Sequence, residues 1–261
     1  MTTAPASPLY TSRIIKASAL IGDTRELLLA WDFGQSREEN LARARGEKKH
    51  AKPTRPRVKD VLAIFRQRYF TEPGVGEALA VLAQAPGQSA TVDRLLYFYA
   101  ARSDRLLHDV VTELLAPMRA QGLLDVTPED IERQLTLWAG EGKTATMWGE
   151  ETTARVASGL LATLRDFGVL SGRVRKQIAT PPMPVEAFAF VAFVLAQDTR
   201  SGARLLSHDE WRLFFLDSQD VERLFLEAHQ RQYLAYHAAG SVVRISFPCD
   251  TLVDYAHALA G

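Results

Sequence analysis

Helix start signals recur along this chain, and they constrain its fold more than any other feature of the sequence. Ser36-Arg37-Glu38-Glu39 matches a capping box, in which a hydroxyl and a carboxylate each satisfy a free backbone amide. Thr127-Pro128-Glu129-Asp130 supplies a capping threonine, a proline in the first turn and two acids at the positive end of the helix dipole. Ser207-His208-Asp209-Glu210 matches another capping box. Since apolar residues follow these signals at helical spacing, the sequence predicts a mainly α protein.

Glycines and prolines separate the predicted elements. Gly22 is expected to end a first helix, and Gly240 to end a long helix. Arg43–Lys59 has little apolar content and two prolines, which favours a loop over much of its length. The predicted helices lie at about 14–21, 24–31, 58–69, 76–84, 90–101, 104–120, 127–139, 150–167, 185–197, 208–215, 218–239 and 250–260.

Two stretches, 104–180 and 185–247, share the order of three helices followed by a short β element, which resembles a winged helix. The predicted fold is therefore mainly α: a multi-helix protein with helix-turn-helix or winged-helix-like units and minor β-ribbons near 168–180 and 241–247. A length of 261 residues is enough for two or three domains. The predicted regions are 1–85 (basic, helical), 86–180 (central, winged-helix-like) and 181–261 (C-terminal, helical).

Charge is distributed unevenly, although the net charge is zero. Residues 1–70 hold 14 Lys and Arg against 7 Asp and Glu, and the remainder holds 17 against 24. Packed cations repel one another, and a phosphate backbone relieves that repulsion with release of counterions, so a local basic excess indicates nucleic-acid contact. The basic stretch consists of Arg43, Arg45, Lys48, Lys49, Lys52, Arg55, Arg57 and Lys59, with Glu47 as the one acid among them.

A solvated mobile loop, or a contact with an acidic protein, would also explain the basic stretch. No aromatic residue lies between Phe33 and Phe65, which disfavours a platform on which single-stranded bases stack. A nucleic-acid contact without stacking of single-stranded bases is therefore one interpretation of this segment, beside the solvated loop and the acidic protein contact.

A second basic cluster lies in the predicted ribbon at 168–180. Arg173, Arg175 and Lys176 would reach a backbone phosphate if this ribbon is a wing, and Arg165 lies on the preceding helix. That helix carries a set of polar residues near its start, where a recognition helix makes its contacts. Two acids in the same turn would repel DNA, or could simply stabilise the helix dipole. The polar set is Thr152, Thr153, Arg155 and Ser158, and the acids are Glu150 and Glu151.

No complete catalytic or metal-binding motif occurs. Gly142-Lys143-Thr144 looks like the end of a phosphate-binding loop, but Leu137 stands where that motif needs glycine, and a helix precedes it instead of a strand. Glu141 to Lys143, with Asp130 upstream, faintly resembles a nuclease signature, but these residues lie on a helix and a loop. The six histidines form no paired zinc motif, and one cysteine, Cys249, can supply neither a disulfide nor a zinc knuckle. We expect no catalytic residue, no metal and no cofactor.

The apolar run Val185–Ala196 is too short for a bilayer, and the N-terminus does not match a signal peptide. These features predict a soluble, cytoplasmic protein without a membrane partner. Aromatic residues concentrate between 188 and 236 at helical spacing, which favours a buried core; any exposed ones would indicate a protein interface.

Several segments together carry a family resemblance: Tyr10 to Lys16, Glu26 to Trp31, the basic stretch leading to Ile64–Phe70, and Thr153 to Arg155 continuing through Arg165–Gly168. With these segments the chain resembles the BrxA family, the small A-type component of BREX phage-defence systems. The resemblance covers most of the chain and rests on overall pattern and length.

The resemblance implies a non-enzymatic, mainly helical component, encoded beside an ATPase, a methyltransferase and a phosphatase-like protein, that binds double-stranded DNA. Other BREX proteins are its expected partners. The alternative is a protein-interaction scaffold or assembly factor of the same complex without direct DNA contact. DNA binding predicts that the two basic clusters lie on one face, whereas a scaffold predicts exposed apolar area in the aromatic-rich last third.

Overall fold

The computed structural model describes residues 9–16, 18–47, 55–240 and 242–261, with the backbone alone described for 45–47 and 55–60. Helices account for most of the described chain, and the strands form two small antiparallel sheets. The prediction of a mainly α protein with minor β-ribbons is therefore confirmed. None of the described helices combines the length and the apolar character needed to cross a membrane.

Contacts divide the chain into two compact units. The first comprises the residues up to Ala19 together with Ala100–Pro181, and the second comprises Leu20–Tyr99 together with Pro182–Gly261. This division differs from the three consecutive regions that the sequence predicts, because each unit is assembled from segments that lie far apart in the chain.

The first unit begins with a 3-10 helix at Ser12–Ile15, which packs on the last helix of this unit. A continuous helix follows, with a π-helical turn at Val110–Leu115 between its two α-helical parts. The helices and strands of the first unit are α6 (Arg105–Asp109), α7 (Ala116–Ala120), β1 (Asp125–Val126), α8 (Pro128–Gly140), α9 (Glu150–Asp166), β2 (Leu170–Ser171) and β3 (Lys176–Ile178). The three strands form an antiparallel sheet in the order β1-β3-β2.

The helices α8 and α9 form where the sequence predicts: both have the expected apolar spacing, and α8 also has the expected cap. The Thr127 hydroxyl accepts a hydrogen bond from the Asp130 amide at 3.2 Å, and the Asp130 carboxylate accepts one from the Thr127 amide at 3.0 Å, which completes a capping box. Apolar residues three and four positions apart give each helix one buried stripe. These stripes are Ile131, Leu135 and Trp138 on α8, and Val156, Leu160 and Leu164 on α9.

The second unit is built around α10, whose residues from Val185 to Leu195 are all apolar and buried except the half-buried Glu186. Phe188 stacks on Trp211 with ring centroids 4.7 Å apart, and its edge-on contact with Phe225 is 4.8 Å. The helices of this unit are α1 (Ile21–Leu29), α2 (Arg37–Glu47), α3 (Arg55–Tyr69), α4 (Val75–Gln84), α10 (Val185–Asp198), α11 (Gly202–Leu206), α12 (Ser218–Gln230) and α13 (Leu252–Ala260), and α5 (Ser89–Ser103) begins in it. A 3-10 helix at Asp209–Phe214 and a hairpin of β4 (Ala235–Ala239) and β5 (Val242–Ser246) complete this unit.

Four local predictions need correction. The long helix over 218–239 is wrong: α12 ends at Gln230, Gln232 has a left-handed φ of 62°, and β4 pairs with β5. The first helix is wrong at Gly22, which lies inside α1. The capping box at Ser207 is wrong, since the ring nitrogen Nδ1 of His208 accepts the Glu210 amide at 3.2 Å. The predicted loop between Arg43 and Lys59 is helical at both ends, because α2 reaches Glu47 and α3 begins at Arg55.

Candidate nucleic-acid interface

The hairpin of β2 and β3 stands on a buried base and ends in an exposed tip. At the base, Leu170 pairs with Ile178, and both side chains are buried. At the tip, Gly172 has a left-handed φ of 87°, and a Cβ there would collide with the carbonyl oxygen of Arg175. Only glycine fits this turn without strain, which explains why the predicted ribbon turns at this residue.

The tip presents two guanidinium groups that have no partner among the described residues. Arg173 and Arg175 are exposed, and neither side chain forms a hydrogen bond or ion pair with any residue that the structure describes. Between them Val174 is 92% exposed. Lys176 behaves differently, because its Nζ donates to the carbonyl oxygens of Gly172 at 3.0 Å and Arg173 at 2.5 Å. The lysine therefore stabilises the turn, and the two arginines carry its free charge.

The helix α9 presents a mixed surface. Arg155 is exposed and lies 3.9 Å from the carboxylate of Glu151, one turn earlier. Arg165 donates to Asp166 through Nε at 3.1 Å and through a terminal nitrogen at 2.6 Å. Thr153 is buried. Both predicted basic contacts on this helix thus already face carboxylates.

The remaining members of the predicted polar set on α9 differ in exposure. Ser158 is exposed and Thr152 is half-buried. The next residue, Gly159, lies against the 3-10 helix, and a Cβ there would lie 3.2 Å from the carbonyl oxygen of Ile14. The N-terminal segment therefore flanks the exposed face of α9 without covering Ser158.

Arg43 is the member of the basic stretch whose side chain the structure describes, and it is half-buried. Its guanidinium donates to the carbonyl oxygen of Ala30 and, at 2.9 Å, to Oδ1 of Asn40, and it lies 3.6 Å from Asp32. These contacts stabilise the connection between α1 and α2. Of the other predicted residues, Arg45 lies on α2 and Arg55, Arg57 and Lys59 lie on α3, whereas Lys48, Lys49 and Lys52 lie outside the described residues. A nucleic-acid contact by this stretch stays a prediction.

A polar network inside the first unit was not predicted from the sequence. Its centre is the buried carboxylate of Asp109, which accepts hydrogen bonds from the Tyr10 hydroxyl at 2.7 Å and from Nε of Arg105 at 2.8 Å. Nδ1 of His108 lies 2.9 Å from its other oxygen. Burial alone would raise the pKa of Asp109, but the hydrogen bonds from His108, Tyr10 and Arg105 together hold it below its usual value.

The same network holds the loop that leads into α9. The Tyr10 amide donates to the carbonyl oxygen of Lys143 at 2.7 Å. The Nζ of Lys143 forms an ion pair of 2.9 Å with Glu113 and lies 4.9 Å from the ring centre of Trp138. Lys143 is the lysine of the segment that looks like the end of a phosphate-binding loop. In the structure its partner is a protein carboxylate. No pattern in the sequence signals these contacts, since Tyr10 and Asp109 are 99 residues apart.

Within the described part of the chain, no three His, Cys, Asp or Glu side chains are grouped so that they could hold a metal ion.

Residues 8–194 of the chain match the family model described as BrxA. A comparison with curated proteins gives no match.

Proposed function

Because this chain belongs to the BrxA family, and is thus a component of a BREX phage-defence system, we propose that it is a non-enzymatic cytoplasmic subunit that binds double-stranded DNA largely irrespective of sequence. The observation that carries this proposal is the exposed hairpin tip with its two unpaired arginines. Family membership also suggests other BREX proteins as partners.

The order of elements in the first unit supports a winged-helix interpretation. A helix, a short strand, two helices and a hairpin follow one another, and the sheet has the order β1-β3-β2. In a winged helix the hairpin is the wing, and α9 stands in the place of the helix that precedes the wing. The arrangement gives Arg173 and Arg175 a position from which wings contact DNA.

The electrostatics of the tip favour phosphate contact. A guanidinium pairs with phosphate through two parallel hydrogen bonds, and such charge-assisted bonds are the strong ones. Since Arg173 and Arg175 have no carboxylate partner among the described residues, binding DNA breaks no existing ion pair of theirs. Contacts to phosphate position a protein without reading bases, which fits binding to many sequences.

A scaffold role has weaker support in the region where it was expected. Phe188, Phe190 and Phe225 in the last third are fully buried in their own unit. Two exposed apolar side chains do lie in this region, Leu226 at 46% and Val242 at 67%, and others lie in the first unit, for example Leu137 at 55% and Met147 at 62%. Apolar side chains exposed singly in this way are common on protein surfaces, so DNA binding remains the preferred proposal.

The test is a salt series of fluorescence anisotropy with double-stranded DNA, single-stranded DNA and RNA. If about five phosphates are neutralised, the logarithm of affinity falls with the logarithm of salt concentration at a slope of roughly −4 to −5 for duplex DNA. Arg173→Ala combined with Arg175→Ala should weaken binding to every duplex and flatten the slope by about 2. Lys48→Ala, Lys49→Ala and Lys52→Ala together test the basic stretch in the same way.

The matched control is Arg244→Ala combined with Arg204→Ala. Both residues are exposed, and their side chains have no ion pair or hydrogen bond within the described chain. The control removes the same charge from the second unit and should leave affinity unchanged. Failure of the parent to bind duplex DNA at low salt would overturn the proposal, as would unchanged affinity and slope in both sets of basic-residue variants.

A further inference from the structure

We infer that the tip Arg173-Val174-Arg175 enters the minor groove, and that duplexes with a narrow, A/T-rich minor groove are therefore its preferred substrate. This inference rests on the proposed DNA binding and specifies the groove and the class of duplex. On this inference, α9 makes no contact with base edges in the major groove.

The charges on α9 disfavour a position deep in the major groove. A helix in that groove is flanked by the phosphates of both strands. The exposed side chains of α9 carry three carboxylates and two guanidiniums, and Glu151 in its first turn is 88% exposed. Each guanidinium has a carboxylate beside it, since Arg155 faces Glu151 and Arg165 is bonded to Asp166. The charged residues on this face are Glu150, Glu151, Arg155, Arg165 and Asp166.

The hairpin tip has the opposite character. The three residues Arg173 to Arg175 carry two positive charges, and no acidic residue lies between Gly172 and Lys176. The minor groove is about 6 Å wide, too narrow for a helix but open to the end of a thin turn. Where A-tracts narrow this groove further, its negative potential increases and attracts arginine.

The apolar side chain at the tip adds a second reason. Val174 is 92% exposed, so in the free protein almost all of its apolar surface faces water. Proteins that bind the minor groove frequently combine arginine with an apolar side chain that contacts the base steps. Contact between Val174 and the groove would remove this surface from water, which a contact with phosphate alone would not achieve.

The tip is also held in one conformation before it meets DNA. Gly172 adopts the left-handed φ that the tight turn requires. The ammonium group of Lys176 donates hydrogen bonds to the carbonyl oxygens of Gly172 and Arg173, which stabilises this turn. A preorganised tip loses less conformational entropy on binding than a flexible arm.

The experiment separates the two grooves with inosine. An inosine·cytosine pair lacks the guanine amino group and so presents an A/T-like minor groove, while its major groove matches that of G·C. We expect the full chain to bind A-tract and inosine·cytosine duplexes at least threefold more tightly than a G·C duplex of equal length, in anisotropy titrations at one salt concentration.

The second arm replaces the arginines by lysines. Arg173→Lys combined with Arg175→Lys keeps the charge, so the salt slope should stay, but the preference for the A-tract should fall below 1.5-fold because lysine is a more strongly hydrated point charge. Arg155→Ala tests α9 as the alternative source of selectivity, and Arg204→Ala combined with Arg244→Ala in the second unit is the control; both should leave the preference unchanged. Thermal unfolding of each variant verifies that these exposed substitutions leave the fold intact.

The outcomes are distinct. If the parent binds no duplex, the proposed function fails and this inference fails with it. If the parent binds duplex DNA but does not distinguish inosine·cytosine from G·C, the proposed function stands and the minor-groove inference is overturned. Loss of the preference in Arg155→Ala, with retention in the double lysine variant, would assign the selectivity to α9 and overturn the inference as well.

Discussion

The two hairpins of this protein share a construction but differ in what they expose. Each is an antiparallel pair that turns at a glycine with positive φ, Gly172 at 87° and Gly240 at 59°. The hairpin of β2 and β3 is buried at its base and has unpaired arginines at its tip. In the hairpin of β4 and β5, the residues just before the turn are Ala238 and Ala239, and its arginine, Arg244, lies in mid-strand opposite His237.

The surroundings of the two hairpins differ in the same sense. Gly202 of α11 lies so close to β5 that a Cβ would collide with the carbonyl oxygen of Val243. Tyr236 of β4 is buried and donates to Glu222 of α12 at 3.2 Å. The second hairpin is therefore part of the packing of its unit, whereas the first pairs with β1 as far as Lys176 and exposes only the tip beyond it. The two hairpins thus differ in where they carry arginine, at an exposed tip in the first and in mid-strand in the second.

The largest expected effect is on the packed hairpin. Gly202→Ala forces a Cβ into the backbone of β5, and overpacking of this kind costs about 1–3 kcal/mol of unfolding free energy. Urea denaturation measures this loss, and the folded variant should bind DNA like the parent. Ala203→Ser, at an exposed neighbouring position, is the control and should be near neutral. Unchanged stability of Gly202→Ala would show that the second hairpin is not tightly packed.

A second prediction extends the comparison to the interiors of the two units. Tyr10→Phe removes a hydrogen bond to a buried carboxylate and should cost about 1.5 kcal/mol at neutral pH. Because the pKa of Asp109 is lowered in the folded state, its contribution is present above its ordinary pKa and is lost as pH falls through the lowered value. Weakening the network should therefore reduce the loss of stability that accompanies a fall in pH below the ordinary pKa of aspartate, about 4.

Tyr97→Phe in the second unit is the control for this pH dependence. The Tyr97 hydroxyl donates to the carbonyl oxygen of Leu213 at 3.0 Å, and a carbonyl does not titrate. This variant should lose about 1 kcal/mol without a change in the acid dependence of unfolding. Identical acid profiles for the two phenylalanine variants would contradict the role given to Asp109.

A smaller effect on stability, with a clear effect on DNA binding, is expected at the turn of the first hairpin. Gly172→Ala places a side chain at φ 87° and against the Arg175 carbonyl, so the turn must shift at a cost of about 1 kcal/mol. Affinity for duplex DNA should fall as it does in the Arg173→Ala and Arg175→Ala double variant. Gly87→Ala has a similar φ of 79° with open space around the Cβ, and it should keep full affinity. Equal affinity of both glycine variants would separate the turn from DNA binding.

The smallest expected effect concerns the charge in mid-strand. Arg244→Ala on β5 removes an exposed arginine and should change unfolding free energy by less than about 0.5 kcal/mol. Its DNA affinity should equal that of the parent in the same titrations. A loss comparable to that of the tip variants would remove the distinction between the two hairpins.

Local signals allowed much of this fold to be predicted. Ser36 caps α2 as expected, with its amide donating to Glu39 at 2.8 Å, because a capping box is complete within four residues. The helix over 218–239 could not be predicted correctly, because Gly240 is as suitable for a hairpin turn as for a helix end. The pairing of β4 with β5 decides between them, and that pairing is a tertiary property.

The residues of the candidate site could be predicted from the sequence, but the hydrogen-bond partners of their side chains could not. The turn at Gly172 and the charges at Arg173 and Arg175 follow from the sequence, and the structure brings them to one tip. That Lys176 bonds to its own turn and that Arg43 bonds to Ala30 depends on geometry that charge counting does not contain. The hydrogen-bond partners of a basic side chain, more than its position in the sequence, show whether its charge faces solvent or stabilises the fold.

The bond between Tyr10 and Asp109 also has a consequence for biosynthesis. Asp109 lies 99 positions after Tyr10, so at a translation rate of roughly 5–20 residues per second it is made roughly 5–20 s later. Gly159, against which Ile14 lies, is made later still. During this interval the segment around Ile14 lacks the part of α9 on which it packs. The first unit can therefore be completed only after segments that are synthesised well after Tyr10 and Ile14.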